Sequence, residues 1–215
     1  MATSLAVIAL LLFVAAGSFR FWEAWLFLGM MGTSWTLFFF SFLKRNPQLL
    51  ARRLQREETE STQKLFQKLF SALLFSGFVL IGLDFRFGWS RSMGAVPTVL
   101  IWTAQFVTLG AYCLVFWVMK TNTFAASTIR VESEQEVISV GPYRLVRHPM
   151  YSGMAIAALA SPLALGSYVA APLFALIIPL LVYRLVHEER TLCRDLRGYS
   201  EYCERTSFRL LPWVW

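Results

Sequence analysis

Apolar segments recur along the chain at about 4–19, 24–43, 65–83 and 96–119, and a fifth apolar region runs over about 151–186. Nothing else in the sequence constrains the fold as strongly. A helix needs about 20 apolar residues to cross the hydrocarbon core of a bilayer, and in lipid only a helix or a closed barrel satisfies its own backbone. The fifth region is interrupted at Leu165-Gly166-Ser167 and carries Pro162, Pro172 and Pro179, so its pieces, 151–165 and 168–186, are each short for a span. The pattern predicts an all-α integral membrane protein with four clear transmembrane helices followed by a C-terminal helical hairpin. Composition agrees: charged residues make up 15% of the chain and mean hydropathy is +0.54, against about 25% charged in ordinary globular proteins.

The 215 residues suit a single membrane-embedded domain, with membrane helices 1–4 in 1–119 and a polar-rich half in 120–215. Of the 20 Lys and Arg residues, all but Arg20, Arg86 and Arg91 fall on one side if the N-terminus is cytoplasmic. That bias orients the chain by the positive-inside rule and puts its polar clusters at the cytoplasmic face. The net charge of +7 is thereby explained by topology. The cations are spread over loops without a recognition motif, so no nucleic-acid partner is expected. No Lys or Arg precedes the apolar run Leu5–Ala16, so a retained first span is expected rather than a cleaved signal peptide. Cys113, Cys193 and Cys203 have neither CxxC nor zinc spacing, and no metal site is expected from them. The chain has no GxG, which removes a glycine-loop dinucleotide fold. Residues 46–70 read as an amphipathic helix, suited to lying on the membrane or covering a cytoplasmic site.

Two polar clusters interrupt this apolar chain. The first is GPYRLVRHPMYSG, residues 141–153. Pro149 pushes the residue before it out of helical conformation. His148 is therefore expected on a turn at a helix start, where unpaired N–H groups attract anions. Tyr143 and Tyr151 would add hydrogen bonds and ring surface. The alternative is a basic loop meeting lipid phosphates. The second cluster is YRLVHEER, residues 183–190. Arg184 and Glu188 are four apart and share a helix face. Ionisable groups at that depth mark a functional site unless they form only an interfacial ion pair. His187 and Arg190 fall on other faces. The intervening hairpin allows the two clusters to meet.

GPYRLVRHPMYSG, a hairpin, and then EER…GYSEYCERTSFRLLPWVW together resemble the isoprenylcysteine carboxyl methyltransferase family, and more closely its prokaryotic members of unassigned substrate. The resemblance is strong over about 120–215 and loose before that, through FWEAWLFL and NPQLLARRL. It implies S-adenosylmethionine held between the loop before the hairpin and the helix after it, and a lipophilic, prenylcysteine-like acceptor delivered from membrane lipid. By position it assigns Gln135, Glu136, Val137, Ile138, Tyr143, His148, Pro149, Met150, Tyr151 and Glu188 to the methyl donor and Arg184 to the acceptor. Arg184 and Glu188 are thus the expected catalytic pair. The family's Asn-Phe pair appears here only as Asn122-Thr123-Phe124. Phospholipid N-methyltransferases share a related C-terminal arrangement, which keeps an amine acceptor open. An amine would need a base, for which Glu189 and His148 are the candidates. Membrane sterol reductases carry a similar Arg-His-Pro-x-Tyr turn but bind NADPH, and they commonly place an acidic residue soon after it, where this chain has SGMAIAALA. The expected setting is multi-pass, in the bacterial inner membrane for a prokaryotic chain or the endoplasmic reticulum for a eukaryotic one.

Overall fold

The computed structural model describes the backbone of residues 2–45, 61–122 and 135–215, and the side chains of 3–43, 64–122 and 135–215. The described residues are helical throughout, with no strand. The helices are α1 (Ala2–Ala16), α2 (Trp22–Arg45), α3 (Ser61–Phe87), the short α4 (Trp89–Ser92), α5 (Thr98–Thr121), α6 (Pro149–Ala164), α7 (Ala171–Ala175), α8 (Ile177–Asp195) and α9 (Tyr199–Arg205). A single 3-10 turn covers Gly141–Arg144. The helix α1 lies along α3, and α5 along α6. The helix α8 packs on both α3 and α6.

Among the described residues four runs are long and apolar enough to cross a membrane: Trp22–Leu43, Lys64–Phe87, Thr98–Thr121 and Ala171–Asp195. Together they make the chain a multi-pass membrane protein. The expected set of spans needs correcting at both ends. The first apolar segment yields only Thr3–Ala16 as a short apolar helix. It stops because Gly17 takes a left-handed conformation (φ 61°) and returns its N–H to the Phe13 carbonyl, 2.9 Å away, a glycine C-terminal cap. The second arm of the hairpin is longer than expected, because its helix continues past the apolar residues through YRLVHEER to Asp195. Its break at Leu176 follows from Pro179, which has no N–H to offer the carbonyl of Ala175. The remainder of the hairpin forms as expected. Of the 46–70 segment, 46–60 lies outside the described residues. Residues 61–70 begin α3, where Phe66 is buried while Leu65 and Leu69 are exposed.

The hairpin turn sits at the end of the bundle far from the histidine turn, since α6 at 1.5 Å per residue separates the two by about 24 Å. Polar side chains that sequence reading did not single out tie this far end together. Asp84, 3% exposed, accepts hydrogen bonds from the Ser90 N–H (2.7 Å) and from the hydroxyls of Ser90 and Ser167 (2.5 Å each). Buried Gln105 donates through Nε2 to the carbonyls of Ala164 (3.0 Å) and Glu23 (3.3 Å). These bonds clamp the 165–170 turn to α3 and hold α5 against the start of α2. A buried carboxylate paired as Asp84 is compatible with an apolar bundle, whereas an unpaired one is costly.

Candidate active site

At the opposite end α6 begins as its sequence dictates. His148 is the residue before the helix, in non-helical conformation (φ −126°, ψ 60°), and Pro149 takes the first helical position, where its missing N–H costs no intrahelical bond. The first turn then aims Tyr151 at α8. The Tyr151 hydroxyl donates to Glu188 Oε2 at 2.5 Å and accepts from Arg184 Nε at 3.0 Å. The two α8 residues, one helical turn apart, therefore converge on one phenol. Arg184 and Tyr151 are buried and Glu188 is half-buried. The Arg184 guanidinium also lies over the Phe66 ring of α3, 4.6 Å from its centroid, a cation–π contact that helps fix the guanidinium plane.

A second, ionic knot adjoins the first. Glu189 pairs through Oε1 with Arg147 (2.7 Å) and through Oε2 with Arg209 (2.6 Å). Buried His148 points Nε2 into the same knot, 3.8 Å from Glu189 Oε1 and 3.4 Å from the Tyr199 hydroxyl. Burial above all, then the neighbouring thiol and the Glu189 and Glu188 charges, push the Tyr199 hydroxyl far above its ordinary range, so that it keeps its proton. Residues 206–215 run beside the turn. The N–H groups of Arg147 and His148 donate to the carbonyls of Phe208 (2.9 Å) and Arg209 (3.0 Å), and the Ser152 hydroxyl donates to the Leu210 carbonyl (2.6 Å).

The remaining expected residues lie on the stretch before the 3-10 turn, on the turn itself and in the first turn of α6. Gln135, Val137 and Ile138 are half-buried and Glu136 is exposed, on an extended stretch before the 3-10 turn. Val137 and Tyr143 pack against Leu196, Tyr199 and Tyr202. Tyr143 accepts through its hydroxyl from Asn122 Nδ2 at 2.9 Å, and its carbonyl accepts from the Tyr202 hydroxyl at 2.7 Å. Pro149 is buried and Met150 half-buried, both in the first turn of α6. The structure thus brings His148, Tyr151, Arg184 and Glu188 together at one end of the bundle. Of the 135–138 stretch, Val137 packs against the Tyr199 cluster. His187 is half-buried and Arg190 exposed.

Sequence reasoning missed three participants: Phe66, Arg209 and the structural use of Glu189. For Glu189 a signal existed, since a Glu-Glu pair at the end of an apolar helix must point two carboxylates at different surroundings. The partners of Glu189 came from 147 and 209, distances along the chain that local spacing does not encode.

Residues 102–194 match the sequence model of the isoprenylcysteine carboxyl methyltransferase (ICMT) family. A Delta(14)-sterol reductase of Mus musculus is 33% identical over 91 residues, covering 41% of this chain and 22% of the reductase. The chain therefore spans under a quarter of that relative's length. The family match begins inside α5 and ends in the last turn of α8, so it takes in Tyr151, Arg184 and Glu188 together. Over this stretch the chain is similar to the isoprenylcysteine carboxyl methyltransferase family.

Proposed function

We propose that this chain is an S-adenosylmethionine-dependent carboxyl O-methyltransferase acting on a lipophilic, prenylcysteine-like acid, with its site open to the cytoplasm. The observation that carries the reading is the Tyr151 hydroxyl shared between Glu188 and Arg184 at the rim of an apolar bundle. The donor set suits this methyl donor, which combines an amino acid, a ribose and an adenine ring. Half-buried Glu188 is an acceptor for ammonium or ribose hydroxyl groups. The first turn of α6, with Met150 and Tyr151, favours a carboxylate by its dipole. Tyr143 supplies a ring, and Gln135, Glu136, Val137 and Ile138 flank the approach.

When bound, S-adenosylmethionine supplies a methyl group on a positively charged sulfur. The protein's part is to align and to exclude water, which in favourable cases lowers a barrier by about 7–11 kcal/mol. Arg184 holds the acceptor carboxylate through paired charge-assisted hydrogen bonds, its plane fixed by Phe66 and Tyr151. A carboxylate nucleophile carries no proton to remove, so no general base is required. An amine acceptor would require one, and Glu189 is already engaged by Arg147 and Arg209. The likeness to a sterol reductase suggests NADPH as a second reading. Its extra phosphate calls for uncommitted arginines, and the two beside the histidine turn are the same pair.

The test is binding of labelled S-adenosylmethionine against NADPH to the detergent-purified protein, followed by methyl transfer into a panel of prenylated thiols, phospholipids and quinone-like compounds. Saturable binding of NADPH alone would replace the methyltransferase reading with the reductase one. Arg184→Lys and Arg184→Ala are expected to lose turnover on the acid acceptor while retaining donor affinity. Unchanged turnover in both would remove Arg184 from the acceptor site.

A further inference from the structure

Glu189 joins three separate parts of the chain. It sits on α8 directly after Glu188, pairs with Arg147 on the histidine turn, and pairs with Arg209 on the 206–215 segment. Its own residue is 7% exposed, so its charge would be expensive without both partners. The 206–215 segment is itself closed on Trp215, whose carbonyl accepts from the N–H groups of Arg209 (2.8 Å), Leu210 (2.9 Å) and Leu211 (3.2 Å). The Arg209 guanidinium lies over the Trp215 ring. The segment is then stitched to the turn by backbone bonds at Arg147 and His148 and by the Ser152 hydroxyl. Only three residues separate Arg147 from Tyr151, so any slip of the turn moves the phenol that joins Glu188 to Arg184.

We infer that Glu189 is a positioning residue: through Arg147 and Arg209 it clamps the 206–215 segment as a strap across the histidine turn, and the strap sets where Tyr151 meets Glu188 and Arg184. Glu189 touches no substrate in this arrangement and acts only through its neighbours. The kinetic part of the inference rests on the methyltransferase reading, while the structural part stands without it.

The experiment uses full-length Glu189→Gln and Arg209→Ala in detergent, with Arg209→Lys as the conservative variant. Arg194→Ala, which removes an exposed pair with Asp195 on the last turn of α8, serves as control. Hydrogen exchange at the backbone of 147–152 is read first. Exchange there is expected to speed up in Glu189→Gln and Arg209→Ala and to stay at wild-type level in Arg209→Lys and in the control. The second readout is trypsin cleavage after Arg205, a site that every variant keeps, and it is expected to follow the same order. Affinity for S-adenosylmethionine and turnover are read third, on protein that remains folded. Misplacing reactive groups by about an ångström costs about 100-fold, and losses between about 10- and 100-fold are expected, restored in large part by Arg209→Lys. Wild-type exchange over 147–152 in both disruptive variants would overturn the strap. A released strap with donor affinity and turnover unchanged would reduce Glu189 to a structural role and overturn the positioning claim. If the wild-type protein transfers no methyl group to any acceptor, the functional reading fails, and the exchange and cleavage arms still decide the strap.

Discussion

Tyr151 carries two bonds that a single substitution removes together. Its hydroxyl donates to Glu188 and accepts from Arg184, and both partners sit where water has little access. Tyr151→Phe keeps the ring and its packing and deletes only the oxygen. Hydrogen bonds to charged groups contribute about 1.5–3 kcal/mol each. Loss of the Glu188 bond lets that carboxylate turn away from the donor site. A drop in S-adenosylmethionine affinity of about tenfold or more is expected, since 1.4 kcal/mol is a factor of ten. Calorimetric titration checks it, and affinity equal to wild type would detach Tyr151 from the site. At this scale much was legible in the sequence. His148 before Pro149, and Arg184 with Glu188 on one face, follow from local rules of helix entry and helical spacing. What stayed hidden were the long-range contacts outside those two clusters. Phe66 under Arg184 and Arg209 on Glu189 depend on how α3 and the 206–215 segment pack, and no spacing rule reports that.

Between elements, small residues set how closely helices approach. In membrane bundles this matters more than in water, because lipid is as apolar as leucine and association rests on close packing. Gly82 on α3 lies against α1 so tightly that an added Cβ would sit 2.6 Å from Ala15 Cβ and 2.7 Å from the Leu12 carbonyl oxygen. Gly29 on α2 has open space at the same position. Gly→Ala inside a helix gains up to about 1 kcal/mol from propensity, while overpacking costs about 1–3 kcal/mol. Gly82→Ala is therefore expected to lower the melting midpoint in detergent and Gly29→Ala to leave it level or raise it. If Gly82→Ala proved as stable as Gly29→Ala, the close α1–α3 contact would be wrong. The sequence announced these helices by their apolar runs but misjudged their lengths at both ends. Gly17 stopped α1 by conformation rather than polarity, and the end of α8 stayed helical through charges that a hydropathy reading takes as a boundary. Asp84 and Gln105 went unremarked for a related reason. A single polar residue in an apolar run gives no pattern, and its partners lie on other helices.

Across the whole molecule the two ends of the bundle differ in charge. Arg20, Arg86 and Arg91 belong to the end that holds Asp84 and the hairpin turn, while Arg144, Arg147, Arg184, Arg190 and Arg209 gather at the end with the histidine turn. Cytoplasmic loops carry the excess of Lys and Arg in membrane proteins, so the site end is expected to face the cytoplasm, where a soluble methyl donor can reach it. Two positions report on the ends separately. Met93 follows α4 at the far end and is 61% exposed. Cys193 is an exposed free thiol in the last turn of α8 at the site end. With Cys113 and Cys203 replaced by serine, a membrane-impermeant maleimide applied to intact bacterial cells is expected to spare Cys193 until the membrane is opened. In a Met93→Cys variant that also has Cys193 replaced, the same reagent is expected to label without opening. Labelling in the reverse order would turn the molecule over. It would place Glu188 and Arg184 on the face that a cytosolic donor does not reach, and the proposed chemistry would then need another source for its methyl group.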